Sequence, residues 1–167
     1  AVKNPGTVTR RIIENLVEDI ILVDESAIES AILALAEKQK VVAEGAGAAG
    51  IAAIQAHPQR FADKKVATII CGGNIDVRIL SAVLTRGLVR DGRMARLRID
   101  ISDRPGVLAK LAGIIGDAGG NIIEVNHQRL FQDVPVRNAE IDIIIETRNA
   151  DHVKEIVASM QSAGFRT

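Results

Sequence analysis

The sequence predicts two parts of different fold class: an α/β part over residues 1–90 and an α+β part over residues 94–167. Helix and strand signals alternate along the first part, which is typical of a parallel sheet covered by helices. In the second part the predicted order is strand, helix, strand, strand, helix, strand. Residues 91–93 are the predicted linker, because the Asp91-Gly92 pair is typical of a turn.

The first part opens with a helix and a short apolar run at residues 20–23. The next helix is predicted to begin at Asp24 or Ser26, since either side chain could cap its first turn. Both helices show apolar stripes at helical spacing, namely Ile12, Ile13, Leu16 and Val17, then Ile28, Ala31, Ile32 and Leu35.

The rest of the first part is rich in glycine. A Gly/Ala-rich helix is predicted over residues 45–53, a buried strand over 65–70, and a final helix over 76–88. The turns at 44–50 and 71–74 both follow strand signals. Ligands in parallel sheets collect at the carboxyl ends of strands, so we expect these turns to meet at one edge.

The second part has the cleanest periodicity in the chain. In its first strand Leu97, Ile99 and Ile101 alternate with polar residues, which predicts one buried face. This order of elements defines a ferredoxin-like sandwich with an incomplete last strand. The predicted ranges are a strand at 94–102, a helix at 105–117, a strand at 121–130, a loop at 131–137, a strand at 139–146, a helix at 150–162 and a strand from Phe165.

The turn between the first strand and helix of this part has the features of a small binding site. Asp103 is placed to cap the helix, Pro105 suits its first turn, and Gly106 allows a ligand to approach the backbone. An exposed helix N-terminus next to such a turn favours polar or anionic groups.

Composition excludes several classes of partner. Lys plus Arg equals Asp plus Glu at 21 each, and the only aromatic residues are three Phe, which argues against nucleic acid. The single cysteine, Cys71, cannot form an intrachain disulfide and favours a reducing cytoplasm. Residues 41–54 contain Glu44 and several glycines, so no membrane span is expected. No His, Cys, Asp and Glu spacing indicates a metal site.

Two stretches of the second part carry a resemblance, D-R-P-G-V-L at 103–108 and G-G-N-I at 119–122, and with the βαββαβ order they resemble an ACT domain. In the first part V-A-E-G-A-G-A at 42–48 and I-C-G-G-N at 70–74 resemble the C-terminal part of a fold-type II pyridoxal-phosphate (PLP) enzyme. Together the chain resembles the C-terminal portion of a threonine dehydratase (threonine ammonia-lyase) with a single ACT regulatory domain.

The resemblance implies a parent enzyme that converts L-threonine to 2-oxobutanoate and ammonia by PLP-dependent β-elimination. The family's phosphate-binding loop and Schiff-base lysine are not in this sequence, so we expect the chain alone to be inactive and to bind no cofactor. None of its lysines matches that motif: Lys3, Lys38, Lys40, Lys64, Lys65, Lys110 and Lys154.

The resemblance also implies which residues line the cofactor pocket. Cys71 would hydrogen-bond the pyridine nitrogen with a neutral thiol; otherwise it is a small buried residue that ends a strand. Glu44 would line the pocket or act as a helix-start carboxylate. The glycines would admit the cofactor or serve close packing. The implied set is Glu44, Gly45, Gly47, Cys71, Gly72, Gly73 and Asn74.

An ACT domain implies an amino-acid effector bound between the turn of one copy and strand residues of another, hence a homo-oligomer. Isoleucine or another branched-chain amino acid would suit a role in isoleucine biosynthesis, and a nucleotide would suit the catabolic type. Many ACT copies, however, are structural only. The implied residues are Asp103, Arg104, Gly106, Val107, Leu108, Asn121 and Ile122.

Two alternatives remain open from the sequence. The chain could be a freestanding ACT-type sensing or interaction module, or part of a serine dehydratase or racemase of the same fold.

Overall fold

The computed structural model describes residues 6–102, 104–128 and 138–167. The chain forms two compact units, divided between Asp76 and Val77. The predicted linker at 91–93 would leave the helix that follows Asp76 in the first part. The division in the structure places that helix in the second unit.

The first unit is helical throughout its regular structure. Its elements are α1 (Thr7–Leu16), α2 (Glu25–Ala34), a π-helical turn (Leu35–Gln39), α3 (Gly45–Ala56) and the short α4 (Pro58–Phe61). Of the two predicted caps for α2, Asp24 is the one used: its carboxylate accepts a hydrogen bond of 2.7 Å from the backbone N–H of Ala27.

The core of the first unit lies between α2 and α3. Small side chains on α3 allow the two helices to approach closely, because Ala48 and Ala52 are fully buried. The other buried apolar residues of the unit are Ala31, Ile32, Leu33, Leu35 and Ala43.

The strand predicted at 65–70 is wrong for this chain. Residues 20–23 and 65–70 carry no regular secondary structure, and the latter are exposed, with Ile69 83% accessible. A strand is stabilised by hydrogen bonds to a neighbouring strand, and residues 6–76 contain no strand that could provide them. Apolar β-branched residues alone therefore do not produce the predicted parallel sheet here.

The second unit has the predicted mixed architecture. Its elements are α5 (Val77–Arg90), β1 (Met94–Ser102), α6 (Val107–Asp117), β2 (Asn121–Gln128), β3 (Asn138–Glu146) and α7 (Ala150–Ser162). The sheet order is β1-β3-β2, with both pairs antiparallel. The predicted fourth strand is a single antiparallel bridge between Asp100 and Arg166. The ferredoxin-like order is confirmed.

The core of this unit lies between one face of the sheet and the helices α6 and α7. Alternation along β1 buries Leu97, Ile99 and Ile101 as predicted. The same core contains Leu111, Ile115, Ala139, Ile141, Ile143, Ile145, Ile156 and Met160. On the opposite face Arg96 donates two hydrogen bonds to Asp142, of 2.6 and 3.1 Å, and Arg98 contacts the same carboxylate at 3.4 Å.

Candidate functional sites

The two glycine-rich segments of the first unit lie against each other, as the sequence predicts. The backbone N–H of Glu44 donates a hydrogen bond of 3.1 Å to the carbonyl oxygen of Gly72. A Cβ placed on Gly73 would lie 3.0 Å from the carbonyl oxygen of Val42. The start of α3 and the turn at 71–73 therefore touch through their backbones.

Two glycines make this close approach possible. A Cβ on Gly47 would overlap the carbonyl oxygen of Cys71 and lie 3.0 Å from that of Gly72. Gly72 itself has φ +77°, and a Cβ there would lie 2.7 Å from the carboxyl carbon of Glu44. At Gly45 an added Cβ would make only an ordinary contact of 3.5 Å with Ile28, so close packing does not require glycine there.

Glu44 lies at the start of α3, with its side chain turned toward Gly72. It is the residue that caps the start of α3 through its backbone, yet its carboxylate makes no hydrogen bond to the first helical turn. The carboxylate is instead directed at Gly72, and the residue is half-buried. The side chain therefore lies at the glycine turn and is partly exposed.

Cys71 and Asn74 are exposed. The alternative interpretation of Cys71 as a small buried residue is therefore wrong, because its segment forms no strand and packs into no sheet. The position of Val42, whose carbonyl oxygen faces Gly73, cannot be predicted from the sequence, because an apolar residue carries no signal for a backbone contact.

The predicted effector turn is open in the second unit. Gly106 has φ +87° and caps α6, which starts at Val107 rather than at residue 105. No described atom lies within 4 Å of a Cβ placed on Gly106. Arg104 and Leu108 are exposed, whereas Val107 packs against the core. Asp103 lies outside the described residues, so its role as a helix cap stays a prediction.

The other predicted effector residues lie at the start of β2. Ile122 packs against the core, and the side-chain amide of Asn121 donates a hydrogen bond of 3.2 Å to Glu146. Residues 104–108 and 121–122 flank the two ends of α6, an 11-residue helix with a length of about 16 Å. Within one chain the structure does not bring these two sets of residues together.

Comparison with protein families matches both halves of the chain. The family of pyridoxal-phosphate-dependent enzymes matches residues 1–72, and the ACT domain family matches residues 91–163. The first part of the chain is thus similar to pyridoxal-phosphate-dependent enzymes, and the second part is similar to ACT domains. The fold agrees, because βαββα with a terminal bridge is the architecture found for the ACT part.

Curated relatives extend over both parts. The L-threonine ammonia-lyases of Geobacter sulfurreducens and Thermotoga maritima are 40% and 41% identical over 165 residues, each match covering 99% of this chain. The biosynthetic L-threonine dehydratase IlvA of Haemophilus influenzae is 28% identical over 167 residues, which is 31% of its length. The chain spans 41% of the length of each of the two ammonia-lyases.

The turn at 71–73 offers the exposed thiol of Cys71 beside the partly exposed carboxylate of Glu44, and these groups fit a PLP ring in their chemistry. Among the residues that the structure describes, no helix is long and apolar enough to cross a membrane.

Proposed function

We propose that this chain is the regulatory part of a threonine dehydratase whose parent deaminates L-threonine to 2-oxobutanoate and ammonia. One observation carries the proposal: the glycine turn at 71–73 packs against α3, and a match to the ACT domain family follows in the same chain. Identity of 40% to L-threonine ammonia-lyases along 99% of the chain supports it. The same relatives disfavour a freestanding module, because they match both parts together.

In this proposal the glycine turn forms part of the PLP pocket. When bound, PLP withdraws electrons from the amino-acid substrate. Cys71 would hold the pyridine nitrogen with a neutral thiol, and Glu44 would line the pocket. Gly47 and Gly72 would hold the turn against α3, and Gly45, Gly73 and Asn74 would lie beside the ring. The lysine that binds PLP would come from the rest of the parent, so the chain alone should release no ammonia.

The ACT domain would bind an amino-acid effector between two copies of the chain. The placement of residues 104–108 and 121–122 at opposite ends of α6 supports this, because a small amino acid cannot span about 16 Å. One copy would supply the turn with Asp103, Arg104, Gly106 and Leu108, and its partner would supply Asn121 and Ile122. The proposed effector is a branched-chain amino acid such as L-isoleucine, and the proposed compartment is the cytoplasm.

The experiment has two arms. The full-length protein that carries this chain, loaded with PLP, is assayed for ammonia release from L-threonine and from L-serine. We expect a higher kcat/KM for threonine; preference for serine, or racemisation without ammonia, would replace the proposal with the related activity.

The second arm titrates L-isoleucine into the 167-residue chain by calorimetry, with light scattering to measure its mass. We expect binding to a dimer or larger oligomer. Gly106→Ala should weaken binding at least tenfold, because a side chain is strained at φ +87° and enters the open turn. Gly116→Ala is the matched control, since no described atom lies within 4 Å of its added Cβ either. Equal affinity in both variants would remove the turn from the site.

A further inference from the structure

The helix α5 ends in a turn that the ACT domain holds from two sides. This helix covers residues 77–90 and lies between the two family matches, which end at residue 72 and begin at 91. In the structure α5 nevertheless belongs to the same compact unit as the sheet. The helix that follows the enzyme-like part in the sequence therefore belongs to the same unit as the ACT-like sheet.

The end of α5 is a glycine cap. Gly92 has φ +67°, and its N–H donates to the carbonyl of Val89 at 3.1 Å, while the N–H of Arg93 donates to Leu88 at 2.8 Å. This pair of bonds is the Schellman arrangement, which closes a helix by bonding its last carbonyls. The carbonyls of Gly92 and Arg93 themselves then point away from α5.

A single residue of the ACT domain binds both of these carbonyls. The hydroxyl of Thr147 donates to the oxygen of Gly92 at 2.5 Å, and its backbone N–H donates to the oxygen of Arg93 at 2.9 Å. Thr147 is only 7% exposed. An unsatisfied buried carbonyl is unfavourable, so the hydroxyl is needed where it lies.

The other side of the cap is the first residue of α7. A Cβ placed on Gly92 would lie 2.5 Å from Cα and 2.8 Å from Cβ of Ala150. Because Gly92 is buried in this contact, α5 cannot swing away from β3 and α7 without breaking both the packing and the two hydrogen bonds.

Hydrogen bonds also connect the neighbours of Thr147 to the start of β2. Glu146, which precedes it, accepts the bond from Asn121. His152 accepts a bond of 3.1 Å at Nδ1 from the N–H of Arg148, so Nε2 carries the hydrogen and donates to the carbonyl of Ala118 at 2.8 Å. The loop that holds α5 is thereby bonded on both sides to the 118–121 segment.

We infer that α5 is the output helix of the ACT domain, that is, the helix through which effector binding acts on the part of the chain before it. We infer also that Thr147 is the residue that positions α5. A change at Asn121 reaches the cap of α5 through Glu146 and Thr147, a contiguous set of bonded groups. The output role of α5 rests on the proposed effector site at Asn121, whereas the attachment of α5 stands on the contacts alone.

The test uses amide hydrogen exchange of the 167-residue chain in three forms: wild type, Thr147→Val and Thr147→Ser. Valine keeps the branched shape and removes the hydroxyl donor, whereas serine keeps the donor. Without ligand we expect exchange in residues 86–93 to rise about tenfold in the valine variant, the loss of one hydrogen bond to a buried carbonyl, and to stay near wild type in the serine variant. Unchanged exchange of the β3 amides shows that the fold is intact.

L-Isoleucine is then added at saturation. We expect slower exchange at the start of β2 in all three forms, and slower exchange in α5 only in wild type and Thr147→Ser. Protection at β2 without protection of α5 in wild type would overturn the role of α5 as output. Equal exchange of residues 86–93 in the valine and serine variants would overturn the role of Thr147. Absence of any isoleucine effect would contradict the proposed effector, while the comparison without ligand still decides the attachment.

Discussion

Gly47 lies so close to the carbonyl oxygen of Cys71 that no side chain fits between α3 and the 71–73 turn. Gly47 and Cys71 are 24 positions apart in the sequence, and the contact between them is made by main-chain atoms. This contact depends on the absence of a side chain at position 47, so it can be tested by adding a single methyl group.

Gly47→Ala should destabilise the first unit by about 1–3 kcal/mol, because the new methyl group forces the turn away from α3. Urea denaturation of the chain measures this. Gly113→Ala is the matched control, because Gly113 also lies inside a helix but no described atom is within 4 Å of its added Cβ. That variant should gain about 0.5–1 kcal/mol from helix propensity. Similar effects of both substitutions would contradict the close approach.

Asp142→Asn should make the free energy of unfolding of the second unit depend less on pH under acidic conditions. The guanidinium of Arg96, hydrogen-bonded to Asp142, lowers the pKa of that carboxyl below its ordinary value of 3.8, and Arg98 adds to the effect. A depressed folded-state pKa stabilises the fold above about pH 4, and that contribution is lost as the pH falls through the lowered value. Urea denaturation between about pH 2 and 5 measures the slope.

The two arginines provide an internal ranking for this prediction. Arg96→Gln should flatten the acid limb more than Arg98→Gln, since Arg96 approaches the carboxylate to 2.6 Å and Arg98 only to 3.4 Å. A steeper limb in Asp142→Asn than in wild type would show that the carboxylate is not stabilised in its charged form.

His152→Ala should destabilise the second unit by about 2–3 kcal/mol. The imidazole is 1% exposed and bonded at both nitrogens, so its removal leaves a cavity and two backbone groups without partners. Thermal unfolding detects the loss. The exposed His57 serves for comparison, and His57→Ala should change stability by less than about 0.5 kcal/mol. Equal effects would mean that the bonds of His152 contribute nothing.

Asp24→Ala should destabilise the first unit by about 1 kcal/mol through loss of the helix cap. Ser26→Ala, at the other position that the sequence allowed, should cost about 0.5 kcal/mol or less. Helix content by circular dichroism during urea denaturation compares the two. A larger effect at Ser26 would reverse the assignment of the cap.

The sequence predicts most of the second unit because its signals are local. Alternation at Leu97, Ile99 and Ile101 defines β1 to the residue, and the helix at 150–162 has both its limits correct. The start of α6 was placed two residues early, because a glycine with positive φ, Gly106, takes the capping position.

Long-range contacts explain what the sequence did not predict. Thr147 follows an ordinary alternating strand, and its partner Gly92 lies 55 residues away, so no local pattern marks either. The apolar run at 65–70 satisfies every local criterion for a strand, yet strand formation depends on a neighbour that residues 6–76 do not supply. The meeting of the turns at 44–50 and 71–74 was expected from the carboxyl ends of parallel strands. It forms without that sheet, through the backbone of Glu44 and the close approach that Gly47 and Gly72 allow.

The length of α6 has a consequence for how effector binding would depend on protein concentration. When two copies must each contribute half of a pocket, occupancy reflects the amount of protein as well as the amount of amino acid. Dilution alone would then silence the response, and a cell that makes more of this polypeptide would also make it more sensitive.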